Sequence, residues 1–75
     1  TFKIFPNPAS DYIIIENTLA DNFEWEIVTF EGRIIRKGTS LTSSKRISLN
    51  GLKAGTYLIK TKSNGILKTV KFVIY

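Results

Sequence analysis

Taken two residues at a time, most of this chain alternates between apolar and polar positions. In Glu24-Trp25-Glu26-Ile27-Val28-Thr29-Phe30, Trp25 and Ile27 share one face and Glu24 and Glu26 the other. Ile66 to Ile74 places Val70, Phe72 and Ile74 on one face and Lys71 opposite, and Arg46-Ile47-Ser48-Leu49 points Ile47 and Leu49 inward. Phe2-Lys3-Ile4 is a shorter alternating run. Asp11 to Glu16 is rich in β-branched residues and too short for a helix, and Tyr57 to Lys62 reads as a further strand. Turn chemistry separates these runs. Pro6 stops the first, and Asn17 to Asn22 is polar and reads as a short irregular loop. Glu31-Gly32 reverses the chain into Arg33-Ile34-Ile35-Arg36-Lys37. Gly38 through Ser44 reads as a surface loop, and Asn64-Gly65 predicts a type I′ hairpin. No helical period appears anywhere. The expected fold is all-β: a small immunoglobulin-like antiparallel β-sandwich of about seven short strands, without internal repeats.

Composition narrows the function classes. A chain of 75 residues and 8.5 kDa is one domain, and size scaling predicts a folded surface of about 4,700 Å². Hydrophobic residues make up 43% of the chain, enough to predict a folded core. The chain has no cysteine and no histidine. Thiol nucleophiles, Ser-His pairs, histidine general bases, disulfides and imidazole or thiolate metal sites are therefore excluded. No glycine-rich phosphate cradle is present. The carboxylates mostly alternate with apolar residues, as outward strand positions do. The expectation is a non-enzymatic domain without catalytic residues, metal or cofactor. No run approaches the roughly 20 apolar residues a membrane-crossing helix requires. The chain opens at Thr1 inside a strand pattern, with no initiator methionine or signal peptide, and residues 1–75 are expected to be a domain excised from a larger secreted precursor.

Charge is segregated along the sequence. Before Arg33 there are six acids and one base, a balance of −5; from Arg33 onward there are ten bases and no acid, a balance of +10. One reading is a basic surface for an anionic partner such as lipopolysaccharide, a membrane face or nucleic acid. The other is lysines covering the solvent faces and edges of strands. Nucleic acid has no support, because the aromatic residues are scattered over different strands.

Two local features carry more information. In Phe5-Pro6-Asn7-Pro8-Ala9-Ser10, two prolines around one asparagine remove two backbone donors and fix two φ angles, which makes a rigid corner. In Leu52-x-x-Gly55-x-Tyr57, a tyrosine opening a late strand just after a glycine turn suits a tyrosine corner. Its ring would pack on the core and its hydroxyl bond an upstream backbone group. Trp25, sharing a face with Ile27, reads as core.

In order and spacing these features resemble the type A C-terminal sorting domain of the type IX (Por) secretion system of Bacteroidota. The resemblance rests on the aromatic-Pro-Asn-Pro-small-Ser corner and on the apolar strand Ile13 to Ile15. It continues through Trp25-Glu26-Ile27-Val28-Thr29-Phe30-Glu31-Gly32-Arg33-Ile34-Ile35, Ile47-Ser48-Leu49-Asn50-Gly51-Leu52-Lys53-Ala54-Gly55-Thr56-Tyr57, and the closing Lys71-Phe72-Val73. Thr29 and Ser48 stand where family members commonly carry acids, and the chain ends on Ile74-Tyr75 without the usual basic residue.

The resemblance implies a folded sorting signal that directs a secreted cargo, fused upstream, across the outer membrane. Its partners would be translocon components and a sortase-like cysteine peptidase that removes the domain. The cargo would pass through the periplasm to the cell surface, to be released or joined to anionic lipopolysaccharide. Recognition is expected at Pro6, Asn7, Pro8, Gly32, Gly55, Tyr57 and Lys71, with edge pairing along the last strand as one mode. The alternatives are a carbohydrate- or surface-binding accessory β-sandwich of a secreted enzyme, which would display Tyr12, Trp25 and Phe30 on one exposed face, and a structural immunoglobulin-like spacer.

Overall fold

The computed structural model describes residues 2–17 and 22–75. Seven strands follow one another: β1 (Phe2–Phe5), β2 (Tyr12–Asn17), β3 (Phe23–Thr29), β4 (Ile34–Ser40), β5 (Ser44–Ser48), β6 (Gly55–Ser63) and β7 (Ile66–Ile74). They form two antiparallel sheets, ordered β1-β2-β5 and β4-β3-β6-β7. This is the expected immunoglobulin-like sandwich, with its fourth strand carried by the larger sheet. Its accessible surface is 4901 Å², close to the value expected from mass alone.

The alternating positions become the core. Ile13 and Ile15 from β2 and Ile47 from β5 face Phe23, Trp25 and Ile27 from β3, Tyr57 and Ile59 from β6, and Phe72 and Ile74 from β7. Side chains such as Ile13, Ile15, Ile27, Ile59 and Phe72 are fully buried, each contributing about 1.5–3 kcal/mol by leaving water. The tails of the strands are polar or half-exposed, as a one-sided sheet requires.

The hairpin turns match their residues. Asn64 and Gly65 have φ of +51° and +78°, the paired positive angles of a type I′ turn between β6 and β7. At the β3–β4 turn the Gly32 amide donates to the Thr29 carbonyl (2.8 Å), and the Arg33 amide to Thr29 Oγ1 (3.0 Å). Gly32 there has φ +100°. This is a type I turn followed by a left-handed glycine. Phe30, expected to extend β3, sits in this turn and is exposed.

Two expectations about loops need correction. Gly38 through Ser44 is not a loop: Gly38, Thr39 and Ser40 belong to β4 and Ser44 opens β5, leaving only residues 41–43 between strands. Ser40 is buried, and its hydroxyl donates to the Thr42 carbonyl at 2.8 Å, so the polar composition is satisfied locally. Gly38 lies opposite Trp25, and a Cβ there would come within 2.8 Å of the indole. The glycine is a seat for the tryptophan ring. Asn17, placed in the following loop by sequence, is instead the buried last residue of β2; of the rest of that loop, residues 18–21 lie outside the described residues and Asn22 precedes β3 as expected.

The β3–β4 ladder also shifts register. Ile27 pairs with Arg36 but Val28 pairs with Ile34, so β4 holds one extra residue, Ile35. This bulge inverts the facing of the strand beyond it. Arg36, Gly38 and Ser40 fall opposite the core residues Ile27, Trp25 and Phe23, while Lys37 and Thr39 oppose Glu26 and Glu24.

Candidate recognition surface

The proline corner is the junction between the two sheets. β1 pairs with β2 as far as Phe5↔Ile14, and the chain then crosses to the outer side of β7. Both Phe5-Pro6 and Asn7-Pro8 are cis. Beyond them Ala9 forms a parallel bridge with Ile74. The Ala9 amide donates to the Val73 carbonyl at 2.8 Å and the Tyr75 amide to the Ala9 carbonyl at 2.9 Å. The Asn7 side chain continues the seam. Its Oδ1 accepts from the Val73 amide (3.2 Å) and its Nδ2 donates to the Lys71 carbonyl (3.4 Å). A side-chain amide is thus used as a stand-in for one more backbone unit, where proline on either side supplies no N–H. Ala9 is buried, which explains the small residue at the end of the motif.

Pro6, Asn7, Pro8 and Lys71 are therefore brought together, although 64 positions separate Asn7 from Lys71. Pro6, Asn7, Pro8 and the Lys71 side chain are exposed. Gly55 joins the same end of the sheet through its pairing with Ile74, and has φ +154°. Tyr57 is next along β6, opposite Phe72, with the rings stacked at 5.8 Å between centroids. Its hydroxyl donates to the Lys53 carbonyl at 2.6 Å, which is the tyrosine corner read from the sequence. Tyr57 is 8% exposed, a core residue whose hydroxyl fixes the loop before it. Gly32 stands apart, at the β3–β4 turn on the opposite edge of the four-stranded sheet, with open space around it.

Sequence reasoning missed Arg36. Its guanidinium donates from Nη1 to the Ser48 carbonyl (3.2 Å) and from Nη2 to the Asn50 carbonyl (2.8 Å). A planar fork suits this task better than a lysine would. It ties the edge strand β4 to the end of β5, across the gap between the sheets. The only forewarning was an arginine in an otherwise half-buried run, and its facing depends on the bulge. The outer face of the smaller sheet also carries a cation–π contact, with Arg46 3.9 Å from the centre of the Tyr12 ring.

The charge segregation of the sequence partly cancels in space. β3, which bears Glu24 and Glu26, lies between the basic strands β4 and β6. Glu26 stands between Lys37 and Lys60 in register, and Glu24 opposite Lys62. The exposed aromatic row needed for the carbohydrate-binding alternative does not form: Trp25 is in the core, and Tyr12 belongs to the other sheet. Trp25 Nε1 is buried and has no hydrogen-bond partner among the described residues; the ring is enclosed against Gly38. An open depression of about 380 Å³ beside Ser10 and Leu49 contains a single carboxylate, Asp11. Among the described residues no cluster of three or more metal-ligating side chains occurs, and no helix is long and apolar enough to cross a membrane.

Comparison with known proteins gives a consistent result. The family described as "Secretion system C-terminal sorting domain" matches residues 3–75. No curated protein matches the chain in sequence. Among solved structures, the fold is similar to part of PorZ, an essential bacterial surface component of the type-IX secretion system of Porphyromonas gingivalis. The TM-score is 0.83 at 19% identity, over 99% of this chain and 11% of that one. The chain thus spans about a tenth of PorZ, and at this identity the likeness establishes the fold.

Proposed function

Because this chain belongs to the family of secretion-system C-terminal sorting domains, we propose that it is the recognition module of a precursor exported by the type IX route. The observation that carries this reading is the family match over 73 of 75 positions, residues 3–75, on a fully formed sandwich. The sorting function and the secreted destination follow from the family. The module acts by being recognised by the secretion machinery. The finer steps are our reading: a cargo domain precedes residue 1, passes through the periplasm, and is freed of this domain at the cell surface by a sortase-like peptidase, with release or attachment to anionic lipopolysaccharide. The chemistry belongs to the peptidase, and this module supplies a surface.

A rigid sandwich presents that surface without the ordering cost a flexible tail would incur on binding. The part of it singled out by sequence is the patch of Pro6, Asn7, Pro8 and Lys71. Its support is spatial, since the corner and the last strand share hydrogen bonds and are solvent-accessible. Gly32, Gly55 and Tyr57 contribute by shaping turns. The test is a reporter carrying this domain at its C-terminus in a host with a working type IX system. The fusion should reach the medium or cell surface, and the same reporter without the domain should stay in the periplasm. Lys71→Ala, which leaves the Lys71 carbonyl bond to Asn7 in place, should also retain the reporter inside. Periplasmic retention of the parent fusion would refute the sorting role; undiminished export of the Lys71 variant would refute the patch.

A further inference from the structure

The corner seals only the second half of β7. Val73 and Lys71 turn backbone groups away from β6, as their bonds to Ala9 and Asn7 demonstrate. The β6–β7 register runs unbroken from Gly55↔Ile74 to Ser63↔Ile66. By strand alternation, Thr69 and Leu67 turn their N–H and C=O groups to the same outer side. β7 is the last strand of its sheet, and among the described residues no backbone group pairs with Thr69 or Leu67 there.

This open half-edge is also apolar. Ile66 is 57% and Leu67 72% exposed, and they point to opposite faces of the strand. Edges left open in soluble proteins are ordinarily short, charged or covered, yet this one offers two large aliphatic side chains beside free ladder positions. Its charge is uniformly positive. The chain has no carboxylate side chain after Glu31, and β7 brings Lys68 and Lys71. Lys60 and Lys62 of β6 have Glu26 and Glu24 across from them, but Lys68 and Lys71 stand opposite the uncharged Thr61 and Leu58.

We propose that residues 66–71 are a docking edge, to which an extended segment of the export machinery bearing acidic side chains adds as a fifth strand of the larger sheet. Main-chain bonds to Leu67 and Thr69 supply the alignment. Ile66 and Leu67 supply apolar contact, and Lys68 and Lys71 select the charge. A second copy of the chain fits poorly, because two such edges would bring the Lys68 and Lys71 pairs together without a carboxylate. The inference rests on the sorting reading and locates its contact beyond the proline corner.

The export reporter tests it with variants that leave the β6 ladder and the corner untouched. Thr69→Pro removes an outward N–H and places a ring in the path of an added strand. Leu67→Glu removes the apolar contact and repels an acidic partner, and Lys68→Glu reverses one selecting charge. Each should lower export to less than a tenth of the parent's while remaining folded by circular dichroism. Leu41→Glu, in the loop between β4 and β5 and still more exposed than Leu67, should be exported like the parent. Parental export of folded Leu67→Glu and Lys68→Glu overturns the docking edge while the sorting role stands. Failure of the parent fusion itself overturns both. Should Thr69→Pro fail to fold, the two side-chain variants decide the matter alone.

Discussion

Both ends of the Asn7 amide are engaged by one strand, and this explains why an asparagine stands between the two prolines. Aspartate would keep the acceptor for Val73 but lose the donor to Lys71; alanine would lose both. Asn7→Ala is expected to destabilise the fold by about 1–2 kcal/mol in urea unfolding, with faster amide exchange at Val73, and Asn7→Asp by less. Tyr57→Phe removes one hydroxyl bond to Lys53 and should lower stability by about 1 kcal/mol with the core intact. Gly38→Ala drives a methyl into the Trp25 ring, a rigid neighbour, and should lower stability by about 1–3 kcal/mol with a changed tryptophan emission. The three residues were unequally legible. Tyr57 announced itself through a glycine turn at the right spacing. Asn7 was conspicuous, but its bonding partner lies near the other end of the chain. Gly38 was misread because its Ser/Thr-rich surroundings suggest a loop when the facing tryptophan is unseen.

Strands with clean alternation were readable as elements, and so were the two hairpins whose glycines have positive φ. β4 was not fully readable. The inserted Ile35 turns Arg36 toward the gap between the sheets, and no alternation pattern reveals which residue of a strand will be left unpaired. Pairing partners were hidden as well. The sequence shows that acids precede bases, but not that β3 will be set between β4 and β6. That arrangement makes Glu26 the most sensitive of the strand acids. Glu26→Lys would put a third cation between Lys37 and Lys60. A loss of about 1 kcal/mol is expected at low salt and less at high salt, measured as the urea midpoint against ionic strength.

As a whole the molecule is a sandwich whose two open sides are shut by different means: on one side the first strand crosses over to β7, on the other a single guanidinium spans from β4 to β5. Arg36→Ala should therefore lower stability by about 1–2 kcal/mol and quicken amide exchange in the 49–52 loop, leaving the proline corner unaffected. Arg36→Lys should recover only part of the loss, since an ammonium cannot hold two carbonyls in the same plane. The fold class was legible because period-two patterning and turn residues agree along most of the chain. The proposed recognition patch was named in the sequence through the corner and Lys71, but the hydrogen bonds that join them were not visible there. Edge pairing along the last strand was legible only as a mode; which half of β7 stays open was not, because that is set by the neighbours a strand lacks.

The crossing at the corner also ties the first residues of the domain to its last. Asn7 and Ala9 take hydrogen-bonding partners from residues 71–75, so a polypeptide released early from the ribosome would leave that seam unstitched and β6 bare. A finished sandwich thus certifies that translation has passed β7. A secretion apparatus that accepts only the finished shape would turn away incomplete copies with no separate inspector.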